Sequence, residues 1–140
     1  MTEYVLGFAI WRSKILFMKK NRGPENLIGK LNGVGGKIEE NESEFSAMVR
    51  EFKEETGLET LKIQWTNFGL IEFLGGGRAH LFRIELNQDI DYSDLKNPEE
   101  DEPLQWSRLE YVEDDVVPNL RWILPLMFDS TTPFVHIKEK

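Results

Sequence analysis

The apolar positions between residues 43 and 58 recur with the period of an α-helix. They are spaced i, i+3, i+4 and i+7: Phe45, Met48, Val49 and Phe52. This spacing is typical of a helix that buries one stripe against a core. Ser43 is the predicted N-cap and Gly57 the predicted C-terminal stop, because serine accepts from free N–H groups and glycine adopts a left-handed conformation at low cost. The pattern therefore predicts one central helix in this segment.

Apolar and alternating runs elsewhere predict short strands. We expect them at residues 4–11, 15–18, 61–65, 67–73, 80–86, 104–106 and 134–137. The three glycines at 75–77 predict a hairpin loop between two of these strands. Residues 87–102 are acidic and poor in apolar side chains, which predicts a surface loop.

A second helix is predicted at residues 119–128 by another apolar stripe. Its members are Leu120, Ile123, Leu124 and Met127. Pro125 should kink this helix or end it early. Strands on both sides of one central helix, with a second helix late in the chain, predict an α/β fold with a mixed sheet packed between helices.

The predicted central helix carries three acidic side chains close together. At about 100° per residue, Glu51, Glu54 and Glu55 fall on one side of it, along the edge of the apolar stripe. A helix that needed only solubility would place lysines four residues from such glutamates. Mg²⁺ prefers carboxylate oxygens and keeps several waters for a phosphate substrate. The cluster therefore indicates a divalent-metal site, with a solvated acidic face as the alternative.

Residues 36–58 resemble the Nudix box, Gx5Ex7REUxEExGU, where U is a bulky apolar residue. Gly36, Glu42 and the run from Arg50 to Leu58 match every fixed position over 23 residues. The resemblance is to MutT-like members, of the oxidised-purine nucleoside triphosphatase type. It implies a Nudix α/β/α sandwich, and we expect residues 1–140 to form a single Nudix hydrolase domain.

The resemblance implies Mg²⁺-dependent hydrolysis, with Mn²⁺ as a substitute, of a purine or oxidised-purine nucleoside triphosphate to nucleoside monophosphate and pyrophosphate. It implies Glu54 and Glu55 as metal ligands, and Glu51 as either a further ligand or the base that deprotonates water. The backbone carbonyl of Gly35 is implied as another ligand. The resemblance also implies Arg50 in the catalytic set with Glu51 and Glu54. We interpret Arg50 as structural, and we expect it to pair with Glu42 and to point away from the three glutamates.

The resemblance also suggests residues outside the box. Glu100, six residues before Trp106, is the first choice for a further ligand or base. The alternatives are Glu99, Glu102 and simple solvation of the loop. Lys37 is implied to lie near the phosphates.

Asn32 and Asn119 are the candidates for a base pocket, because an amide both donates and accepts hydrogen bonds. For each asparagine the alternative is a turn or a helix cap. Lys19, Lys20 or Arg22 is a further candidate for contact with phosphate, and His80 is interpreted as a surface or packing residue rather than a base.

Composition narrows the choice of partner. The net charge of −8 disfavours a nucleic-acid backbone or an anionic membrane as partner. The chain has no cysteine, which excludes disulfides and a thiol nucleophile. We expect a cytoplasmic protein that is a monomer or homodimer and binds a nucleotide. The other functions considered are hydrolysis of another nucleotide conjugate (ADP-ribose or a dinucleoside polyphosphate), a non-catalytic nucleotide-binding Nudix regulator, and an acidic interaction module.

Overall fold

The computed structural model describes residues 1–99, 102–108, 116–129 and 134–140. Within these ranges the chain forms two α-helices, α1 (Glu44–Thr56) and α2 (Leu120–Met127), and eight strands. The strands are β1 (Glu3–Trp11), β2 (Lys14–Lys19), β3 (Leu31–Asn32), β4 (Val34–Lys37), β5 (Trp65–Glu72), β6 (Arg78–Glu85), β7 (Leu104–Arg108) and β8 (Val135–Lys138).

All the described strands belong to one mixed sheet. Its main order is β3-β2-β1-β6-β5-β8, with β4 paired to β1 and β7 paired to β2. β1 is antiparallel to β2 and β4 but parallel to β6. β5 and β6 form the predicted hairpin around the glycine loop, and β8 is parallel to β5 at the edge. The predicted mixed sheet is confirmed.

The sheet has a hydrophobic core on each face. α1 packs on one face with Val5, Ala9 and Leu16, whereas α2 packs on the other with Phe8 and Phe17. Alternate residues of β1 therefore point into opposite cores, as expected for a strand that is covered on both sides. This arrangement is the α/β/α sandwich implied by the box.

The two ends of α1 form as predicted. The Ser43 hydroxyl oxygen accepts a hydrogen bond from the backbone N–H of Ser46 at 3.1 Å. Gly57 has φ of +79°, and its N–H donates to the carbonyl of Lys53 at 2.8 Å. Both caps satisfy backbone groups that a helix end leaves free. They fix where the helix starts and stops, and so fix which side the three glutamates face.

The apolar stripe of α2 is also confirmed, because all four of its members are buried. Each such side chain contributes about 1.5–3 kcal/mol of stability relative to an exposed one. Pro125 lies inside the helix, which continues two residues further to Met127. None of the described helices has the length and apolar character needed to cross a bilayer.

The prediction of a strand at residues 61–65 is wrong. Residues 62–64 form a turn of 3-10 helix, and β5 begins at Trp65. Ile63 is 91% exposed, and the side-chain oxygen of Gln64 accepts from the backbone N–H of Leu61 at 2.7 Å. This local bond closes the turn, while Trp65 is buried and bonded to Thr60 at 2.8 Å. Apolar residues without a partner strand therefore remain at the surface.

The acidic loop, residues 87–102, is mostly exposed in its described part, as predicted, but several of its residues contact the rest of the domain. Tyr92 and Leu95 pack against the core under α1. The indole N–H of Trp11 donates to the carbonyl of Ile90 at 3.0 Å, and that of Trp106 donates to the carbonyl of Tyr92 at 2.9 Å. These contacts hold the described part of the loop beside α1.

A polar cluster joins the start of β1 to the start of β6. Glu3 accepts hydrogen bonds from Arg78 at 2.6 Å and from His80 at 3.1 Å. The bond from His80 first, and the one from Arg78 second, lower the pKa of Glu3 below its usual value of 4.5. His80 is thus held by Glu3 at the start of β6, with its side chain 16% exposed.

The lowered pKa of Glu3 predicts a pH-dependent contribution to stability. The contribution is complete above the ordinary pKa and is lost as the pH falls through the lowered one. Glu3→Gln should reduce the free energy of unfolding at pH 7 by about 0.2–1 kcal/mol, since the pair is partly exposed. The difference from the unmodified protein should shrink as the pH is lowered from 7 toward 3. Urea denaturation across this range measures it, with the exposed Glu25→Gln as control. A difference that grows at low pH would contradict the assignment.

Candidate active site

Arg50 lies at the centre of a cluster of carboxylates. Its Nε and Nη2 atoms donate to the two oxygens of Glu42 at 2.7 and 2.9 Å, which confirms the predicted pair. Nη2 also donates to the backbone carbonyl of Lys37 at 3.0 Å. Nη1 donates to Glu51 at 2.9 Å and to Glu54 at 3.3 Å. The expectation that Arg50 points away from the three glutamates is therefore wrong, because the planar guanidinium contacts Glu42 on one edge and the box glutamates on another.

This pairing shifts the pKa values of both partners of the central ion pair. The hydrogen bonds from Arg50 lower the pKa of Glu42. The bonds to Glu42, and then those to Glu51, raise the pKa of Arg50 above its usual value. Glu42 also accepts from the backbone N–H of Glu39 at 3.0 Å. The loop that precedes α1 is thereby attached to the helix through an ionised pair.

Glu51 is the buried member of the glutamate set, with 8% of its surface exposed. Its carboxylate lies against Gly36 of β4, where a Cβ atom would come within 2.4 Å of Oε1. Any larger residue at position 36 would occupy the space of this carboxylate. Burial raises the pKa of Glu51, although the hydrogen bond from Arg50 acts in the opposite direction. The first glycine of the box therefore makes room for its first helical glutamate.

Glu55 faces the acidic loop rather than Arg50. Its Oε2 atom accepts from the side-chain amide of Asn97 at 3.0 Å. Burial raises the pKa of Glu55 first, and the negative charges of Glu51, Glu102 and Glu99 raise it further. The sequence analysis did not select Asn97, because an asparagine before a proline in a polar loop is typical of a turn. Nothing in the sequence pattern showed that this amide is 5% exposed.

The described residues contain no group of three His, Asp or Glu side chains that is already arranged around a metal position. The reason is that Glu51 and Glu54 bond to Arg50, whereas Glu55 bonds to Asn97. The donor set nevertheless fits Mg²⁺ or Mn²⁺, because all its side chains are carboxylates and these hard ions prefer oxygen. The space over Gly36 holds a carboxylate next to the backbone of β4. These residues fit a divalent ion of this kind.

A cleft of about 680 Å³ opens beside Glu55, while Glu51 and Glu54 do not line it. Its polar lining includes Gly35, Glu55, Asn32, Asn119, Lys20 and Glu102. Its apolar lining includes Tyr4, Leu6, Phe73 and Val117. The fold thus brings residues from the two ends of the sequence into one cavity with part of the box. A volume of this order holds a ligand of nucleotide size.

Backbone contacts bring together the two segments that carry the candidate base-binding asparagines. Asn32 follows Leu31, whose carbonyl accepts from the N–H of Val117 at 2.9 Å, and Leu31 forms a parallel bridge with Val116. The Asn32 side-chain oxygen accepts from the backbone N–H of Gly33 at 2.9 Å. Asn119 precedes α2 but makes no side-chain capping hydrogen bond. Asn119 thus lies in the turn before α2 and at its N-cap position, as the alternative predicted, but its side chain does not cap the helix.

The remaining predicted residues lie in different places. The side chain of Lys37 is exposed and does not line the cleft, whereas its carbonyl binds Arg50. Glu100 lies outside the described residues. Glu102 lines the cleft, and its Oε2 atom accepts from the backbone N–H of Asn21 at 2.9 Å. Lys20 is the predicted basic residue that reaches the cleft.

The family model for the NUDIX domain matches residues 2–127. No curated protein matches this chain closely in sequence. The solved structure of a MutT protein from Bacillus halodurans has a TM-score of 0.75 at 18% identity, covering 97% of this chain and 87% of that chain. A NUDIX hydrolase from Nitrosomonas europaea gives a TM-score of 0.75 at 18% identity, with coverages of 99% and 78%.

A bifunctional NMN adenylyltransferase/ADP ribose pyrophosphatase from Francisella tularensis, complexed with AMP and a Mn ion, gives a TM-score of 0.75 at 16% identity. That match covers 90% of this chain and 41% of the bifunctional chain. At these identities the structures establish a shared fold, and the family is established by the match over residues 2–127. The chain therefore belongs to the NUDIX domain family.

Proposed function

We propose that this protein hydrolyses a purine or oxidised-purine nucleoside triphosphate to the nucleoside monophosphate and pyrophosphate, with Mg²⁺ as cofactor. The observation that carries the proposal is the single cleft that joins Gly35 and Glu55 of the metal-binding segment to Asn32 and Asn119. We assign the phosphates to the part of the cleft next to Gly35 and Glu55, and the base to the part next to Asn32 and Asn119. Amides beside apolar and aromatic side chains are suited to a base, which has polar edges and apolar faces.

Glu51, Glu54 and Glu55, with the backbone carbonyl of Gly35, would hold the Mg²⁺ ion, and Mn²⁺ would substitute. A bound ion supplies positive charge next to the phosphate oxygens. The chain itself carries a net charge of −8, so a triphosphate needs such local compensation. Lys20, which lines the cleft, adds one cation of the protein's own.

The reaction consumes one water molecule. Its oxygen bonds to phosphorus in line with the anhydride oxygen that leaves, and pyrophosphate carries away the electron pair of the broken bond. A carboxylate accepts the proton of this water as the new bond forms. We propose Glu51 and Glu54 as the two residues able to do this, since both belong to the glutamate set and both are oriented by Arg50.

Arg50 contributes by compensating the glutamates in the absence of metal. It bonds to Glu42 in the preceding loop and to Glu51 and Glu54, whose carboxylates lie three residues apart on α1 and would otherwise repel each other. Arg50 thus connects the loop that carries Glu42 with α1, and it orients two of the proposed metal-binding side chains.

The second candidate substrate is ADP-ribose or another nucleotide conjugate. The Francisella tularensis protein, which carries an ADP ribose pyrophosphatase activity in its name, has the same TM-score as the MutT protein. A panel of substrates separates the two. Release of pyrophosphate from a purine triphosphate supports the first, and release of AMP from ADP-ribose supports the second. Binding of nucleotide without turnover would indicate a regulator instead.

Activity should require a divalent ion and the box glutamates Glu54 and Glu55. Glu54→Gln or Glu55→Gln should reduce kcat/KM by about 100-fold or more, because each removes a charged ligand and several kcal/mol of transition-state stabilisation. Steady-state assays with Mg²⁺ measure this, and circular dichroism checks the fold. Glu59→Gln, an exposed residue just after α1, is the matched control. Full activity in excess EDTA would contradict the proposal.

Arg50→Ala should lower stability and activity together. The side chain is 23% exposed and Glu42 is 14% exposed, so the loss in the free energy of unfolding should be about 1–3 kcal/mol, between that of an exposed pair and a buried pair. Urea denaturation and turnover are measured on the same preparation. Arg50→Lys keeps the charge, but a lysine cannot contact Glu42 and the box glutamates on separate edges. Its free energy of unfolding should therefore lie between those of Arg50→Ala and the unmodified protein. An unchanged melting temperature with lost turnover would show that Arg50 acts on substrate.

Asn119→Ala should change substrate choice and leave the metal requirement intact. A site built to bond a base discriminates because a wrong base leaves polar groups unpaired. The ratio of kcat/KM between the best purine triphosphate and a pyrimidine one should fall toward 1. Stability should be almost unchanged, because Asn119 makes no side-chain cap. Arg121→Ala, an exposed change on α2, is the control. An unchanged ranking of substrates would exclude Asn119 and make Asn32 the residue to test.

A further inference from the structure

Asn97 lies outside the Nudix box but bonds directly to one of its glutamates. The residue belongs to the acidic loop and is 5% exposed. Its Nδ2 atom donates to Oε2 of Glu55 at 3.0 Å and to the backbone carbonyl of Glu102 at 3.5 Å. Its Oδ1 atom accepts from the backbone N–H of Glu99 at 2.9 Å. One buried amide therefore connects α1 with two points of the loop.

These bonds matter because this loop has no regular backbone pairing at Asn97. A buried amide that lost its partners would leave polar atoms unsatisfied, at a cost greater than that of an ordinary exposed bond. Glu99 and Glu102 lie on the carboxyl side of Asn97, and both influence Glu55 electrostatically. Asn97 therefore links α1 to the backbone at Glu99 and at Glu102.

The donor nitrogen and the acceptor oxygen of the Asn97 side chain contact different parts of the protein. The acceptor oxygen closes a local turn with Glu99, which any Asn or Asp can form. The donor nitrogen reaches Glu55, and a carboxylate at position 97 has no proton to donate there when ionised. A substitution can therefore remove the contact with the box and keep the turn.

We propose that Asn97 is a positioning residue, which orients the Glu55 carboxylate and ties it to the backbone of Glu99 and of Glu102. The inference rests on the proposed function, in which Glu55 is a metal ligand. Hydrogen bonds to a ligating carboxylate restrict its orientation, and loss of such a partner typically weakens metal binding about 10- to 100-fold. Asn97 thereby controls metal affinity without touching the metal or the substrate.

The test measures Mn²⁺ binding to the substrate-free protein by the electron paramagnetic resonance signal of free Mn²⁺. Asn97→Ala removes both functions, while Asn97→Asp keeps the turn and loses the donor. Asn87→Ala is the matched control, since Asn87 is an exposed loop residue that makes the same kind of turn, with Asp89 at 2.9 Å. Glu55→Gln is the reference for loss of the ligand itself.

Both Asn97 variants should raise the Kd for Mn²⁺ about 10- to 100-fold, and Asn87→Ala should leave it unchanged. The Mg²⁺ concentration for half-maximal activity should rise in parallel, with kcat largely recovered at saturating Mg²⁺. Asn97→Asp is close in shape to asparagine, so it keeps the test valid if Asn97→Ala folds poorly.

Two results would overturn the inference while leaving the proposed function intact. The first is wild-type Mn²⁺ affinity in both Asn97 variants when Glu55→Gln binds weakly. The second is tighter binding by Asn97→Asp, which would make position 97 a ligand site. If Glu55→Gln also binds Mn²⁺ like the unmodified protein, the metal site itself is wrong, and the proposed function fails with the inference.

Discussion

The arrangement of this site depends on one guanidinium group that is shared among several carboxylates. Arg50 contacts Glu42, Glu51 and Glu54, and also a backbone carbonyl of β4. Glu51, Glu54 and Glu55 lie close together on α1 and repel one another, so a nearby cation is needed to stabilise this arrangement. Arg50 provides this charge from within the helix, and its second edge attaches the preceding loop. Arg50 therefore holds Glu51 and Glu54 side by side without a metal, while Glu55 is held separately by Asn97.

A second constraint is steric, and it explains why the box joins a glycine to a helix. Glu51 is buried against Gly36, where a Cβ atom would displace the Glu51 carboxylate. The caps at Ser43 and Gly57 fix the limits of α1, and the apolar stripe fixes its rotation, so Glu51 faces β4 each time the chain folds. The spacing between the glycine and the glutamate of the box therefore reflects the packing of α1 against β4.

Local features of the fold were predictable because they depend on nearby residues. The caps of α1, the stripe of α2 and the glycine hairpin follow from spacing alone, and the Arg50–Glu42 pair follows from the resemblance to the box. Features set by distant neighbours were not predictable. Ile63 belongs to an apolar run, yet no strand lies next to it. Asn97 has the signature of a turn, and its burial depends on residues 42 positions away in the chain.

The backbone connection between Leu31 and Val116–Val117 has a consequence for how this protein can diverge. It places Asn32 and Asn119 in adjoining segments, while none of its bonds involves α1. Substitutions on this side of the cleft can accumulate without disturbing the packing of Glu51 or the contacts of Arg50. Under the proposed function, one segment of the chain carries the catalytic residues, and another carries the residues that select the base. The second segment can change while the first is kept. A lineage of such proteins would keep its reaction while exchanging its substrates.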